Sequence, residues 1–103
     1  MSTVTVSIGR AGASSRVGPI PVLVMSTVQT ESLDSATAAH GTVAAVHGDV
    51  AVIKVDPAAT GRVLVAASPT DVTPALPDAI AIWPGGEDAV ALKPGDRIHV
   101  VDG

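Results

Sequence analysis

The chain opens on strict alternation. In "TVTVSI", Thr3, Thr5 and Ser7 alternate with Val4, Val6 and Ile8. A period of two is that of a half-buried strand, here with its hydroxyls outward. "GRAGASSRVGP" follows and reads as a flexible loop, with three Gly and two Ser. "IPVLVMSTV" is apolar and β-branched, but Pro21 has no N–H for a ladder. Its strand must begin at a sheet edge or after that proline. "QTESLDSATAAH" has two readings. Glu31, Leu33, Ala36, Ala38 and Ala39 suit a helical turn, while Ser, Thr and Asp compete for the backbone in turns. The segment is expected to be a loop or an edge strand.

From there the signals recur. "TVAAV" predicts a strand, "HGD" a turn and "VAVIKV" a strand. "DPAATG" predicts a turn, with Pro57 at its first central position and Gly61 free to take positive φ. "RVLVAA" predicts a strand, and "SPTDVTPALP" a loop holding three of the eight prolines. "DAIAIW" predicts a strand, "PGGED" a turn, "AVAL" a strand, "KPGD" a turn and "RIHVV" the last strand. In that last strand Arg97, His99 and Val101 face one side, and Ile98 and Val100 the other. In the turn before it, Pro94 fixes φ, Gly95 takes the positive φ of a type II turn and Asp96 closes it. Turn signals spaced by roughly 8–12 residues, with no sustained helical period, predict an all-β chain. The expected architecture is an antiparallel β-sandwich, jelly-roll-like, in a single domain spanning 1–103. Residues 1–41 would supply an extended N-terminal arm and loop.

Composition changes the picture of the core. Of 103 residues, 47% are hydrophobic, yet Trp83 is the only aromatic. The chain is too apolar to be disordered. No apolar run approaches the ~18 residues of a membrane span, and "MSTVTVSIGR" lacks the layout of a signal peptide. The interior must be built from Val, Ile, Leu and Ala, each burying modest area. A short chain with such a core is expected to be marginal alone and to draw stability from partner contact. Net charge is −4, and the six basic residues are dispersed. That argues against a nucleic-acid partner, which needs a basic patch. The absence of Cys excludes disulfides, thiolate metal sites and a cysteine nucleophile, and the absence of Asn excludes N-glycosylation.

Few residues suggest chemistry. His40 and His47 flank the predicted strand "TVAAV", and Asp49 follows. Imidazoles with a carboxylate suit zinc, but seven residues across a strand set the two histidines on opposite faces. With His99 elsewhere in sequence, surface or interface histidines are the better reading, and no metal or other cofactor is expected. Glu87, Asp88, Asp96 and Asp102 crowd the last quarter. Glu87 and Asp88 fall in a Gly-rich turn, where backbone preference explains them without acid–base work. "GRAGASSRVG" invites a phosphate-loop reading, but it lacks the Gly-Lys-Ser/Thr ending and a following helix. A mobile loop is the better reading, of a length and composition that suit a segment ordering against a neighbouring subunit, with Arg10 and Arg16 as candidate interface residues. The N-terminal strand and residues 9–18 are the segments expected to be least tied, so that deleting 1–18 would weaken assembly more than the sandwich. Trp83, just before Pro84-Gly85-Gly86, is either a platform for a sugar or interface or a plug of the core or edge.

One resemblance then bears on role. "LVAASPTDVTP" followed by "LPDAIAIWPGGEDAVALKPGDRIHVV" resembles the C-terminal half of small structural proteins from the head-gene clusters of tailed bacteriophages and gene-transfer agents. Pro84, Gly85, Glu87, Pro94, Gly95, Asp96, Ile98 and Val100 carry it, over roughly residues 42–101. The sequence departs from the pattern in lacking the aromatics often found before the Pro-Gly-Asp turn. The resemblance implies a β-sandwich head-decoration or vertex protein. Such a protein is not an enzyme. It is made in the bacterial host cytoplasm and sits on the virion capsid surface. Its partners are the major capsid protein or other head proteins and its own copies, without nucleic acid or membrane. The alternative is a carbohydrate- or receptor-binding module of a head fibre or tail, with Trp83 as platform.

Overall fold

The computed structural model describes residues 3–10, 28–46 and 49–103. The expected strand "IPVLVMSTV", the loop after Arg10 with Arg16, and His47 with Gly48 lie outside the described residues, Val28 excepted. The elements are β1 (Thr3–Gly9), β2 (Gln29–Asp34), β3 (Ala39–His40), β4 (Val50–Val55), β5 (Val63–Ser68), β6 (Ile80–Ile82), β7 (Glu87–Ala91) and β8 (Arg97–Asp102). They form two antiparallel four-stranded sheets, ordered β2-β1-β4-β7 and β3-β8-β5-β6. The fold is an all-β sandwich, as the alternation predicts.

The pairings nest. β5·β6 is innermost, β4·β7 and β3·β8 lie outside it, and β2·β1 completes the series. This is the winding of a jelly roll. β1 takes the place that a strand following β8 would otherwise fill. β1 is therefore a central strand, paired along its length with β2 on one side and β4 on the other. That corrects the expectation of a loosely tied N-terminal strand. Alternation alone cannot distinguish an edge strand from a central one.

The core follows from register. Val4, Val6 and Ile8 lie opposite Val55, Ile53 and Ala51, all buried on the inner face. Val63, Val65, Ile82, Ile98 and Val100 meet them from the second sheet. Thr5 and Ser7 point outward as expected, and the Ser7 hydroxyl shares a 3.0 Å hydrogen bond with Thr30. "QTESLDSATAAH" divides into the edge strands β2 and β3 with a turn between, which is the edge-strand outcome of its two readings.

Two polar ties join the sheets. Glu31 lies opposite Val6 on β1, so it points inward from the edge strand β2. Its carboxylate accepts from the amides of Thr42 and Val43 and from the Thr42 hydroxyl, at 3.0, 3.3 and 3.0 Å. Buried Ser35 donates to Asp102 at the end of β8, and the Asp102 amide donates back to the Ser35 carbonyl.

Three local expectations change. "TVAAV" forms no regular strand. Gly41 N bonds Ile98 O and Ala45 N bonds Asp96 O, so the segment spends four residues against two of its neighbour. Glu31 takes two of the amides in between, those of Thr42 and Val43. Glu87 and Asp88 belong to β7 rather than to a turn, because they lie in ladder register with Lys54 and Ile53. Gly61 is not at positive φ; only Gly85 (+78°) and Gly95 (+91°) are, among the described residues.

The Lys93–Asp96 turn is as expected. Asp96 N donates to Lys93 O at 3.0 Å, and Lys93 N donates to the Asp96 carboxylate. No atom lies within 4 Å of a Cβ built at Gly95, so only backbone strain opposes a side chain there. Gly95→Val is expected to cost about 1–3 kcal/mol, read as a lowered denaturation midpoint. Gly61→Ala, also in open space but at ordinary φ, should be neutral or stabilise by about 0.4–1 kcal/mol. Equal effects at the two positions would refute the assignment of strain to Gly95.

Candidate functional site

Two regions stand out once the sheets are in place. The first is the β6 edge of the second sheet, with which no further strand among the described residues pairs. A sheet edge exposes unpaired amides and carbonyls, which proteins usually guard with charge. The first sheet is guarded in this way. β2 carries the inward Glu31, and β7 carries Glu87 and Asp88, with Asp88 opposite the core residue Ile53. β6, by contrast, is Ile80-Ala81-Ile82, short and wholly apolar.

Its flanks are apolar as well. Among the described residues the exposed large hydrophobics are Val46, Leu76, Ile80 and Trp83, so three of the four lie within residues 76–83. Trp83 is 64% exposed. Its backbone is nevertheless fixed. Gly86 N donates to Trp83 O at 2.8 Å, with Pro84 and the positive-φ Gly85 at the two central turn positions. Gly85 N donates to Val55 O and Val55 N to Gly86 O, which pins this turn to the end of β4 in the other sheet. Gly86 has no room for a side chain, since a Cβ would meet Trp83 O at 2.9 Å. The indole is therefore open to solvent and does not plug the core.

The second region is polar and was not legible as a site. His40 on β3 and His99 on β8 are cross-strand partners, 59 residues apart in sequence. His99 lies on the outer face of its sheet with Arg97, as alternation predicts, yet it is fully buried. The expectation of a surface or interface histidine does not hold for His99, because the chain after β5 lies over it. Arg97 anchors that cover. Its Nη2 donates to Pro69 O at 3.1 Å and to Asp71 Oδ1 at 2.8 Å, and its Nη1 donates to Gly41 O at 3.0 Å. Ala66, opposite His99 on β5, is small enough to leave space for the imidazole.

The proton positions follow from the partners. His99 Nε2 lies 3.0 Å from Ser68 O, and a carbonyl can only accept. His99 Nε2 therefore carries the hydrogen and, in the neutral ring, Nδ1 carries a lone pair. His40 Nδ1, 2.9 Å away, is the donor to it. The rings meet edge to face with centroids 5.0 Å apart. Asp71 stands beside them, and one donor atom from each of His40, Asp71 and His99 lies within 4.8 Å of the others.

The remaining candidates separate. Asp49 is engaged by the Val46 amide, and it joins no described histidine. Arg10 is exposed just after β1. Pro94, Gly95 and Asp96 form the β7–β8 turn described above. Glu87 lies 4.0 Å from Lys54 on the exposed face, a surface pair of little energetic weight. The chain matches no protein-family model, no curated protein and no solved structure.

Proposed function

We propose that this is a non-enzymatic structural protein that docks on a larger assembly through the β6 edge and Trp83. One observation carries the reading: an unguarded apolar edge ends in a tryptophan held on a rigid turn and open to solvent. A rigid backbone with an exposed indole has little ordering entropy left to lose on binding, and tryptophan is enriched among interface anchors. An open edge also offers main-chain hydrogen bonds to an added strand.

The particle is taken from the residue pattern of 42–101 alone. It is the head of a tailed bacteriophage or gene-transfer agent, with the major capsid protein or another head protein as partner. The protein would act there as a homo-oligomeric cement, gaining avidity by touching several capsid subunits at once. The test is cosedimentation of the full chain with purified heads, beside Trp83→Ser and Ile80→Asp variants. Trp83→Ser is expected to weaken binding at least ~10-fold with a nearly unchanged melting temperature, because the indole is exposed. Head binding that ignores both substitutions would refute the edge as the docking surface. Binding of Trp83 to glycans and not to heads would replace the reading with the carbohydrate module.

A further inference from the structure

We propose that His40, His99 and Asp71 form a binding site for a divalent transition-metal ion, with zinc the best fit to the donor set. Two imidazoles and one carboxylate are borderline-soft ligands that suit zinc and leave a fourth tetrahedral position for water. Three features of the arrangement favour an ion over a plain hydrogen bond.

The outer shell is already built. A ligating histidine commonly gives its second ring N–H to a carbonyl or carboxylate, which fixes the tautomer and aims the lone pair. His99 does this through Nε2 to Ser68 O, so its Nδ1 lone pair points at His40. Asp71 is held in the same way by Arg97 at Oδ1. A carboxylate has two oxygens and several lone pairs, so it can bond a guanidinium and an ion together.

The spacing is close to what an ion requires. Tetrahedral zinc with Zn–N of about 2.0–2.1 Å sets its nitrogens ~3.3 Å apart. The two Nδ1 atoms stand 2.9 Å apart, and the set of three spans 4.8 Å. A few tenths of an ångström of opening between the rings, with a small inward swing of Asp71, closes the site. The proton balance is simple. The ion replaces the hydrogen between the two Nδ1 atoms, and His40 carries its proton on Nε2 instead, so no net proton is released.

Access and rigidity complement each other. His99 is fully buried and fixed, His40 is half-buried, and Asp71 is exposed at the mouth. An ion can therefore enter from solvent onto a preformed base. Once bound, it would tie the edge strand β3 and the loop carrying Asp71 to the central strand β8. The expected consequence is stabilisation by mass action.

The test uses the full chain, stripped with chelator and titrated with ZnCl₂. One equivalent is expected to bind and to raise the melting temperature by roughly 10–20 °C at a hundredfold excess over Kd. MgCl₂, which prefers oxygen ligands, should do nothing. His40→Ala and Asp71→Asn should each weaken zinc at least ~10-fold, whereas Glu87→Gln, on an exposed position of the other sheet, should leave it unchanged. Because His40 is half-buried on a two-residue strand, its variant should keep the native circular dichroism. A readout independent of stability is the long-range ¹H–¹⁵N spectrum, in which zinc should move Nδ1 of both His40 and His99. No binding up to about 1 mM zinc, or binding indifferent to His40→Ala, would overturn the site.

Discussion

A chain lacking residues 1–9 is expected to lose its fold outright. Among the described residues β1 is the only strand that links β2 to the rest of the first sheet, because the order is β2-β1-β4-β7. Its removal strips ladder partners from both neighbours at once. It also removes Val4, Val6 and Ile8 from the core, where each is at most 2% exposed. At ~1.5–3 kcal/mol for each fully buried aliphatic side chain, the direct loss is about 5–9 kcal/mol. Domains of this size hold only about 5–15 kcal/mol in total. Exposing Ile53, Val55 and Leu33, the former neighbours of β1, deepens the loss. The measurement is urea denaturation of residues 10–103 followed by far-ultraviolet circular dichroism. No cooperative transition is expected. A cooperative melt with a β-rich baseline would mean that β1 is dispensable and that its place in the sheet is wrong.

The same strand shows what could be read from the sequence and what could not. Its existence and its inward valines are written in a period of two, as are those of β4 and β8, whereas β5 is legible as an apolar β-branched run buried at Val63, Leu64 and Val65. The Pro-Gly turns at 84–85 and 94–95 are legible because few residues tolerate positive φ. Position within the sheet is another matter. It depends on which distant segment supplies the partner, and no local pattern encodes that. "TVAAV" has the composition of a strand, but it runs beside the tight turn at Gly95 and Asp96, where no straight ladder is on offer. Glu87 and Asp88 look like turn residues until β4 supplies Lys54 and Ile53 as partners.

The histidine cluster was hidden for the same reason. His40, Asp71 and His99 come from an edge strand, a proline-rich loop and a central strand, joined only by the β3–β8 register and the reach of Arg97. Proximity in sequence pointed instead to His47 and Asp49. Trp83 was different. A lone aromatic before Pro-Gly-Gly is conspicuous in an otherwise aromatic-free chain, and only its exposure needed the fold to decide it.

Gly41→Ala is expected to be among the most damaging single substitutions in this chain, although it adds only one methyl group. Gly41 is buried at the point where the two sheets are tied together. Its amide donates to Ile98 O at 2.7 Å, and its carbonyl accepts from Arg97 Nη1. A Cβ there would lie 2.5 Å from Glu31 Oε1 and 2.8 Å from Ile98 O. The glutamate can swing away, but only by giving up the Thr42 and Val43 amides. Ile98 O cannot move, because β8 is a central strand held by β3 and β5. Overpacking of about 1–3 kcal/mol adds to hydrogen bonds worth about 1 kcal/mol each. The expected loss is thus roughly 3–5 kcal/mol, larger than for Gly95→Val, where no neighbour intrudes. Glu31→Ala alone should cost about 1–3 kcal/mol by orphaning the two amides. In the double variant the losses should fall short of additive, since both act on one contact, yet Ile98 O keeps Glu31→Ala from rescuing Gly41→Ala. Denaturation of the two single variants and the double variant decides the matter. A Gly41→Ala protein as stable as the parent, or one fully rescued by Glu31→Ala, would show that β3 does not pack against β8 at this distance.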